Sequence, residues 1–375
     1  MSLLLLSHST SPPTAERLRL RAGINLAVSI LCAGGLLIGA ARTTGLVGTT
    51  AVADKITSSN DERLPGAGAT PVEILDERDG YRVVRHAAGT TRVPANPRRV
   101  CALAAADELL AVGLKPVAHS ISDGNFPDYL AEEFADVSWI PNVYGAHLPN
   151  MESIVRVKPD LIITRTTSRQ TYLQLSKIAP VVVLLDHLVH YRQRVLDVGA
   201  IVGRKPQADA RVAWYNAKVE AANAIIHPIL GDKTIAFMRV RPRSYRLYGD
   251  QNHVSPLLYG DLKVKRPNLV RNRTWSSTMS PEQLLHFDAD YLIIITDTAA
   301  EGSRTLRELE NHPVWQRVPA VKNRRILTLS KYRHWADAGI LGRARGIDDV
   351  LEAVAPESLA FVKVQAELAW HGYRP

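Results

Sequence analysis

Arginines and aromatic residues gather at the ends of several β-type runs in this chain, and their types are suited to holding a bulky anion. The run RVRPRSYRLYG places Arg239, Arg241, Arg243, Tyr245 and Arg246 within and just beyond one apolar run. Arg165 and Arg169 follow DLIIT, Arg333 and Trp335 follow RILTLS, and Trp275 stands in a polar stretch between periodic segments. A guanidinium is a planar fork of donors that grips carboxylate oxygens in two-point contact, while aromatic faces cover flat or apolar ligand parts. Open α/β sheets bind ligands beyond the carboxyl ends of their strands, where these residues are expected. Any one of these arginines taken alone reads as solvated surface charge; the expectation of an anion site rests on the set.

Other chemistry is missing from the sequence. It contains neither Gly-x-Gly-x-x-Gly nor a Walker loop to cradle phosphate, and neither Gly-x-Ser-x-Gly nor His-Glu-x-x-His. Nucleotide-binding, serine-hydrolase and zinc-protease readings therefore lose their usual support. His187 and His190 are spaced to share a helical face but lack a nearby carboxylate pair, and read as surface or capping residues. Cys32 and Cys101 form no metal-ligand spacing and no disulfide framework, so Cys101 reads as a small buried hydrophobe. The formal net charge of +9 includes Arg17, Arg19, Arg21 and Arg42 near the N-terminus, and it comes without Lys/Arg blocks. That balance suits an anionic partner and gives no reason to expect nucleic acid.

The elements that must position these residues follow from hydrophobic period. At 375 residues and 46% hydrophobic composition the chain can bury two cores. From Tyr81 onward a short hairpin is followed by β-rich runs alternating with helical stretches: RVCAL, KPVAHS, DLIIT and VVVLLD, then, after a break, TIAFMRV, YLIIIT and RILTLS. Between the two series lies an Ala-rich stretch free of Gly and Pro that reads as one long helix, ended by Pro228 and Gly231. The expected architecture is α/β, with two Rossmann-like lobes joined by a single long helix. Its boundaries are a signal or membrane-anchor segment at 1–53, a flexible tether at 54–80, an N-terminal lobe at 81–205, a linking helix at 206–228 and a C-terminal lobe at 229–375.

Residues 22–41 run without a charge behind Arg17, Arg19 and Arg21, the pattern of a segment that enters a membrane with its basic flank in the cytoplasm. Cleavage after Ala51-Val52-Ala53, acylation at Cys32 and retention as an anchor are its three fates, of which Leu31 before Cys32 disfavours acylation. All three put the rest of the chain outside the cytoplasmic membrane.

The motifs DELLAVGL with KPVAHS, PNMESIVRVKPDLIIT, LQLSKIAPVVVL, SPEQLLHFDADYLIII and HPVWQRVPAVKNRRILTL, in this order, resemble the periplasmic binding proteins of iron-siderophore ABC importers. The resemblance covers about residues 81 to 355. It implies two lobes bridged by a rigid helix and a monomeric carrier that is no enzyme and has no cofactor. Its ligand is a ferric siderophore, which is handed to a membrane permease. Because iron in such a complex is already coordinated, no direct metal ligand is required of the protein. The stretch IAFMRVRPRSYRLYG is similar to members that carry hydroxamate or citrate-based chelates. Family members also present one acidic residue per lobe to permease arginines, which points to Glu152 and Glu282, with Glu108 as a third candidate. Cobalamin or haem carriage by the same architecture, with Tyr191, Tyr245 or His334 as an axial haem ligand, is the nearest rival. An exported α/β enzyme and an interaction module without a ligand are the readings from other classes.

Overall fold

The computed structural model describes residues 64, 72–121, 127–143, 148–184, 187–249, 252–271, 276–296, 300–329, 334–335 and 339–372, all in the unit Ser59–Pro375. The expectations for residues 1–53, for Trp275 and for Arg333 lie outside the described residues. Strands β1 (Glu73–Arg78), β2 (Tyr81–His86) and β3 (Gly89–Pro94) form an antiparallel meander. Folded structure thus begins earlier than the hairpin at Tyr81 that the sequence suggests. Val72 and Ile74 pack against the core, while Glu73 pairs at the surface with Arg85 at 2.6 Å and Glu77 pairs with the buried Arg82 at 2.6 Å. Asp79 and Gly80, with φ of 53° and 75°, make the tight turn between β1 and β2. Leu64, read from the sequence as tether, is only 5% exposed and donates its amide to Thr167 O at 2.9 Å.

The chain then runs through β4 (Val100–Ala102), α1 (Ala106–Ala111), β5 (Ala118–His119), α2 (Asp128–Ala131), β6 (Ser138–Trp139) and the two-stranded ribbon β7 (Asn142–Val143) and β8 (Leu148–Pro149). It continues through α3 (Met151–Arg156), β9 (Leu161–Thr164), α4 (Arg169–Ser176), β10 (Val181–Val183) and α5 (His187–Val202). Five of these strands make a parallel sheet in the order β10-β9-β4-β5-β6. Every residue of β9 is buried, the mark of a strand covered on both faces.

Helix α6 (Lys205–Leu230) is 26 residues long, which at 1.5 Å per residue is about 39 Å. It is longer at both ends than the sequence suggests. Pro228 lies inside its final turn instead of ending it, and Gly231, at φ 54°, closes the helix with its amide on His227 O at 2.9 Å.

The second lobe comprises β11 (Ile235–Arg241), β12 (Ser244–Tyr248), α7 (Asn268–Arg271), β13 (Ser276–Met279) and β14 (Tyr291–Thr296). It is completed by α8 (Ala300–Glu310), α9 (Pro319–Lys322), β15 (Ile326–Leu329), α10 (Ile340–Val354) and α11 (Leu359–Gly372). Its sheet has the order β13-β12-β11-β14-β15, with β11, β14 and β15 parallel and β12 antiparallel to both neighbours. The architecture is therefore two α/β lobes joined by one long helix. One hydrophobic core joins Val100 and Leu161 of the first lobe to Phe237 and Ile293 of the second through residues of α5, α6 and α10. No helix among the described residues is long and apolar enough to cross a membrane.

Candidate functional site

The pleat of β11 decides which arginines come together. Ile235 and Phe237 belong to the core shared by the lobes, whereas Ala236, Met238 and Val240 face a separate core beneath α8 and α9. Alternation then puts Arg239 and Arg241 on the Phe237 face, at the carboxyl end of the strand. Arg246 stands directly opposite Arg239 in the β11–β12 register. All three arginines are half-buried. Next along the same face lies an aromatic cluster, in which Phe237 meets Tyr248 edge-on at 5.5 Å and Trp335 at 4.9 Å.

Other expected residues fall elsewhere. Tyr245 pairs with Val240 in register, so its ring turns to the opposite face and packs against the separate core, where burial and Glu308 raise its hydroxyl pKa. Arg243 sits at the tip of the β11–β12 turn with φ 57°, exposed, its amide on Thr305 Oγ1 at 3.1 Å. Trp335 is 3% exposed, with its indole Nε1 on Asp349 Oδ2 at 2.6 Å; it is a core residue supporting the arginine face and not the open loop wall the sequence suggests. In the first lobe, Arg165 is the first residue past β9 and Arg169 opens α4 behind the N-cap Ser168, both exposed at the carboxyl end of that sheet.

The haem-ligand candidates are largely occupied. Tyr191 is buried, with its hydroxyl on Asp261, which also accepts from Tyr215 at 2.7 Å and pairs with Arg192 at 2.9 Å. His334 Nε2 lies 2.6 Å from Asp349 Oδ2. His190 interrupts α5 with non-helical φ of −108°. Among the described residues, no group of three His, Cys, Asp or Glu is arranged to hold a metal. Cys101 is fully buried and burial pushes its thiol pKa up to about 12, which removes it from thiolate chemistry.

Glu152 is the second residue of α3 and exposed, and the cap of that helix is made by Asn150, whose side chain accepts Ser153 N at 2.9 Å. Glu282 holds the matching position in the short helical turn Pro281–His286 before β14, where Gln283 Oε1 accepts Ser280 N at 3.1 Å. Asn150 thus caps the first of these turns, and Gln283 completes the capping box of the second. Val155 and Leu148, 55% and 36% exposed, extend the surface near Glu152. Glu108, in contrast, is 3% exposed and paired to Arg194 at 2.7 Å, so it is an internal residue and no surface contact.

A groove with a cavity volume of ≈ 410 Å³, lined among others by Thr91, Arg92, Lys177 and Pro180, lies at the amino end of β10. It is at the wrong end of the sheet for an α/β ligand site, and the arginine face at the carboxyl end is the better candidate.

Residues 101–332 match the family model described as periplasmic binding protein, and the chain belongs to that family. The iron-uptake system-binding protein of Bacillus subtilis (strain 168) is 26% identical over 203 residues, a match spanning 53% of this chain and 63% of that protein, just under two thirds of its length. A probable siderophore-binding lipoprotein of the same organism is 29% identical over 261 residues, 64% of this chain and 78% of the relative. The ferric-anguibactin-binding protein of Vibrio anguillarum is 24% identical over 342 residues, 88% of this chain and 97% of the relative. Among solved structures, Staphylococcus aureus SirA complexed with staphyloferrin B aligns with a TM-score of 0.61 at 24% identity, covering 72% of this chain and 97% of that one. These structural likenesses bear on the fold.

Proposed function

We propose that this chain captures a ferric siderophore outside the cytoplasmic membrane and delivers it to the permease of an ABC importer, with no bond made or broken. The observation that carries the reading is the face formed by Arg239, Arg241 and Arg246 at the carboxyl end of β11, backed by Phe237, Tyr248 and Trp335. A bulky ferric complex with carboxylate or other anionic oxygens needs only charge and shape from its carrier. Curated relatives named for iron uptake, siderophore and iron(3+)-hydroxamate binding support that class of cargo. The stretch IAFMRVRPRSYRLYG, similar to members that carry hydroxamate or citrate-based chelates, supports cargo of that type, and the arginines suit a chelate that offers carboxylates or a net negative charge, with Arg165 and Arg169 contributing from the first lobe. Glu152 and Glu282 are the docking residues toward the permease, and the carrier works as a monomer.

The experiment is a titration of intrinsic tryptophan fluorescence against ferric siderophores of several chemistries, ferric citrate, haem and cobalamin. Quenching by at least one ferric chelate is expected, since Trp335 lies behind the arginine face. Replacing Arg239 or Arg241 by Ala is expected to weaken that chelate by about 1.5–3 kcal/mol, the scale of a hydrogen bond to a charged group. Binding of haem or cobalamin alone would reassign the cargo.

A further inference from the structure

Among the described residues, the first turn of α10 takes no side-chain cap from its own lobe. Its N-cap position is Gly339, which offers no side-chain acceptor. The amides of Leu341 and Gly342 donate instead to Asp107 of the first lobe, to Oδ1 at 3.1 Å and to Oδ2 at 3.1 Å. Tyr129 on α2 adds its hydroxyl to Oδ2 at 2.6 Å. These donors converge on a carboxylate that is 6% exposed. The approach is so close that a Cβ placed on Gly339 would stand 2.3 Å from Asp107 Oδ1. On the first-lobe side, Ala105 precedes α1 in a left-handed conformation, φ 75° and ψ 28°, that a residue with a Cβ rarely adopts.

The groups facing this carboxylate come from every neighbouring element. Glu108 shares its helix, Tyr129 comes from α2, and Arg211 from α6. Arg194 of α5 pairs with Glu108 at 2.7 Å, and Arg343 of α10 acts on Tyr129 from the second lobe. Helix α10 carries the contact onward. Its Asp349 receives Trp335 Nε1 and His334 Nε2, both at 2.6 Å, and Trp335 packs on Phe237 behind the arginine face. A first-lobe carboxylate is therefore linked through one helix to the candidate site in the second lobe.

We infer that Asp107 is a positioning residue for ligand capture: by capping α10 across the lobe boundary it sets the spacing of the lobes and thereby the geometry of the site at their strand ends. The consequence for capture rests on the siderophore reading; the spacing itself does not. The ion pair of Lys218 on α6 with Asp348 on α10, at 2.7 Å, and the contacts of Asp261 to Tyr215 and Arg192 hold the second lobe independently. Loss of the Asp107 cap therefore shifts the lobes without unfolding them.

The test places spin labels at Glu132→Cys and Glu310→Cys, exposed positions in the first and second lobes, and reads the distance between them by double electron–electron resonance. Asp107→Ala removes the cap from one side, and Gly339→Ala obstructs it from the other. Both are expected to shift and broaden the distance distribution with unchanged far-ultraviolet circular dichroism, whereas Tyr129→Phe, which keeps both α10 amides capped, retains the parent distribution. For whichever ferric chelate quenches the parent protein, both variants are expected to lose about tenfold in affinity. Distributions of both variants that superimpose on the parent would overturn the inference, and so would shifted distributions with unchanged chelate affinity. Should one variant fail to fold, the other decides. If the parent binds no ferric chelate, the functional reading fails and the distance measurement still decides the role of Asp107.

Discussion

Two buried titratable residues in the first lobe act on stability in opposite directions. His86 Nδ1 accepts amides from Ala88 at 3.2 Å and Val183 at 3.3 Å, so its proton sits on Nε2, which donates to Thr91 Oγ1 at 2.8 Å. Only the neutral ring satisfies that pattern, and burial pushes its pKa from 6.5 down to about 4. A depressed pKa gives stability that is present above 6.5 and lost as pH falls toward 4. Asp107 behaves the other way. Burial, and then the neighbouring Glu108, pushes its pKa up to about 6, so its contribution is full below the ordinary value of 3.8 and lost as pH rises through 6. Each effect is on the order of 3 kcal/mol at about 1.4 kcal/mol per pH unit, and in the parent protein the two oppose each other across the same window. His86→Gln is therefore expected to become less stable as pH rises from about 4 to 6, and Asp107→Asn more stable, in urea midpoints taken across that range. Two variants with the same slope would contradict the assignment. Neither residue stands out in the sequence, because DELLAVGL reads as an ordinary amphipathic helix and nothing in it tells that an acidic residue of its first turn caps a helix more than two hundred positions away.

At the scale of elements, α5 and α6 are in direct contact at Gly199. A Cβ there would stand 2.4 Å from Ala208 Cβ and 3.0 Å from Arg204 O, the latter belonging to backbone that cannot swing aside. Gly199→Ala is expected to cost about 1–3 kcal/mol of unfolding free energy through overpacking, read as a lower urea midpoint with an unchanged slope. An unaltered midpoint would mean that the two helices separate freely. The helices and inner strands themselves are legible: short, β-branched runs such as DLIIT and YLIIIT have the pattern of strands covered on both sides, and the Ala-rich stretch has the composition of a long helix. The turn at Pro242 and Arg243 was harder to read, because RVRPRSYRLYG is one strand, a tight turn and a second strand compressed into eleven residues. Reading the segment as strand followed by loop leaves Tyr245 beside the arginines. The antiparallel register reverses that face, since Tyr245 opposes Val240 and not Arg239. Trp335 departs from its sequence pattern for a related reason: the polar residues around it suggest a loop, but Phe237 and Asp349 draw the indole inward.

At the scale of the whole molecule, a single helix of 26 residues joins the lobes, and one hydrophobic core runs through both. A continuous helix has few backbone dihedrals free to absorb a large rotation, unlike paired hinge loops, so capture is expected with little closure. A permease that receives such a carrier cannot rely on a large change of shape to sense cargo, and recognition falls to fixed points on the surface. Glu152 and Glu282 occupy the same position in the two lobes, second in the helical turn that precedes the buried strands β9 and β14, while Asn150 and Gln283 do the capping. Their equivalence was visible in PNMESI and SPEQLL, but whether the caps needed the glutamates was not, because a helix N-terminus stabilises any nearby carboxylate. With Asn150 and Gln283 in the caps, the two positions, one per lobe, are held at a spacing set by the joined lobes between them. Reversing both, Glu152→Lys with Glu282→Lys, is expected to leave ferric-chelate affinity within about threefold, less than 1 kcal/mol, because the arginine face is untouched. Uptake of the chelate by cells is expected to stop, since two lysines now face whatever cations the permease offers and like charges at an interface cost several kcal/mol. Normal uptake by the double variant would remove the docking role, and a loss of chelate affinity would move the two positions into the ligand site.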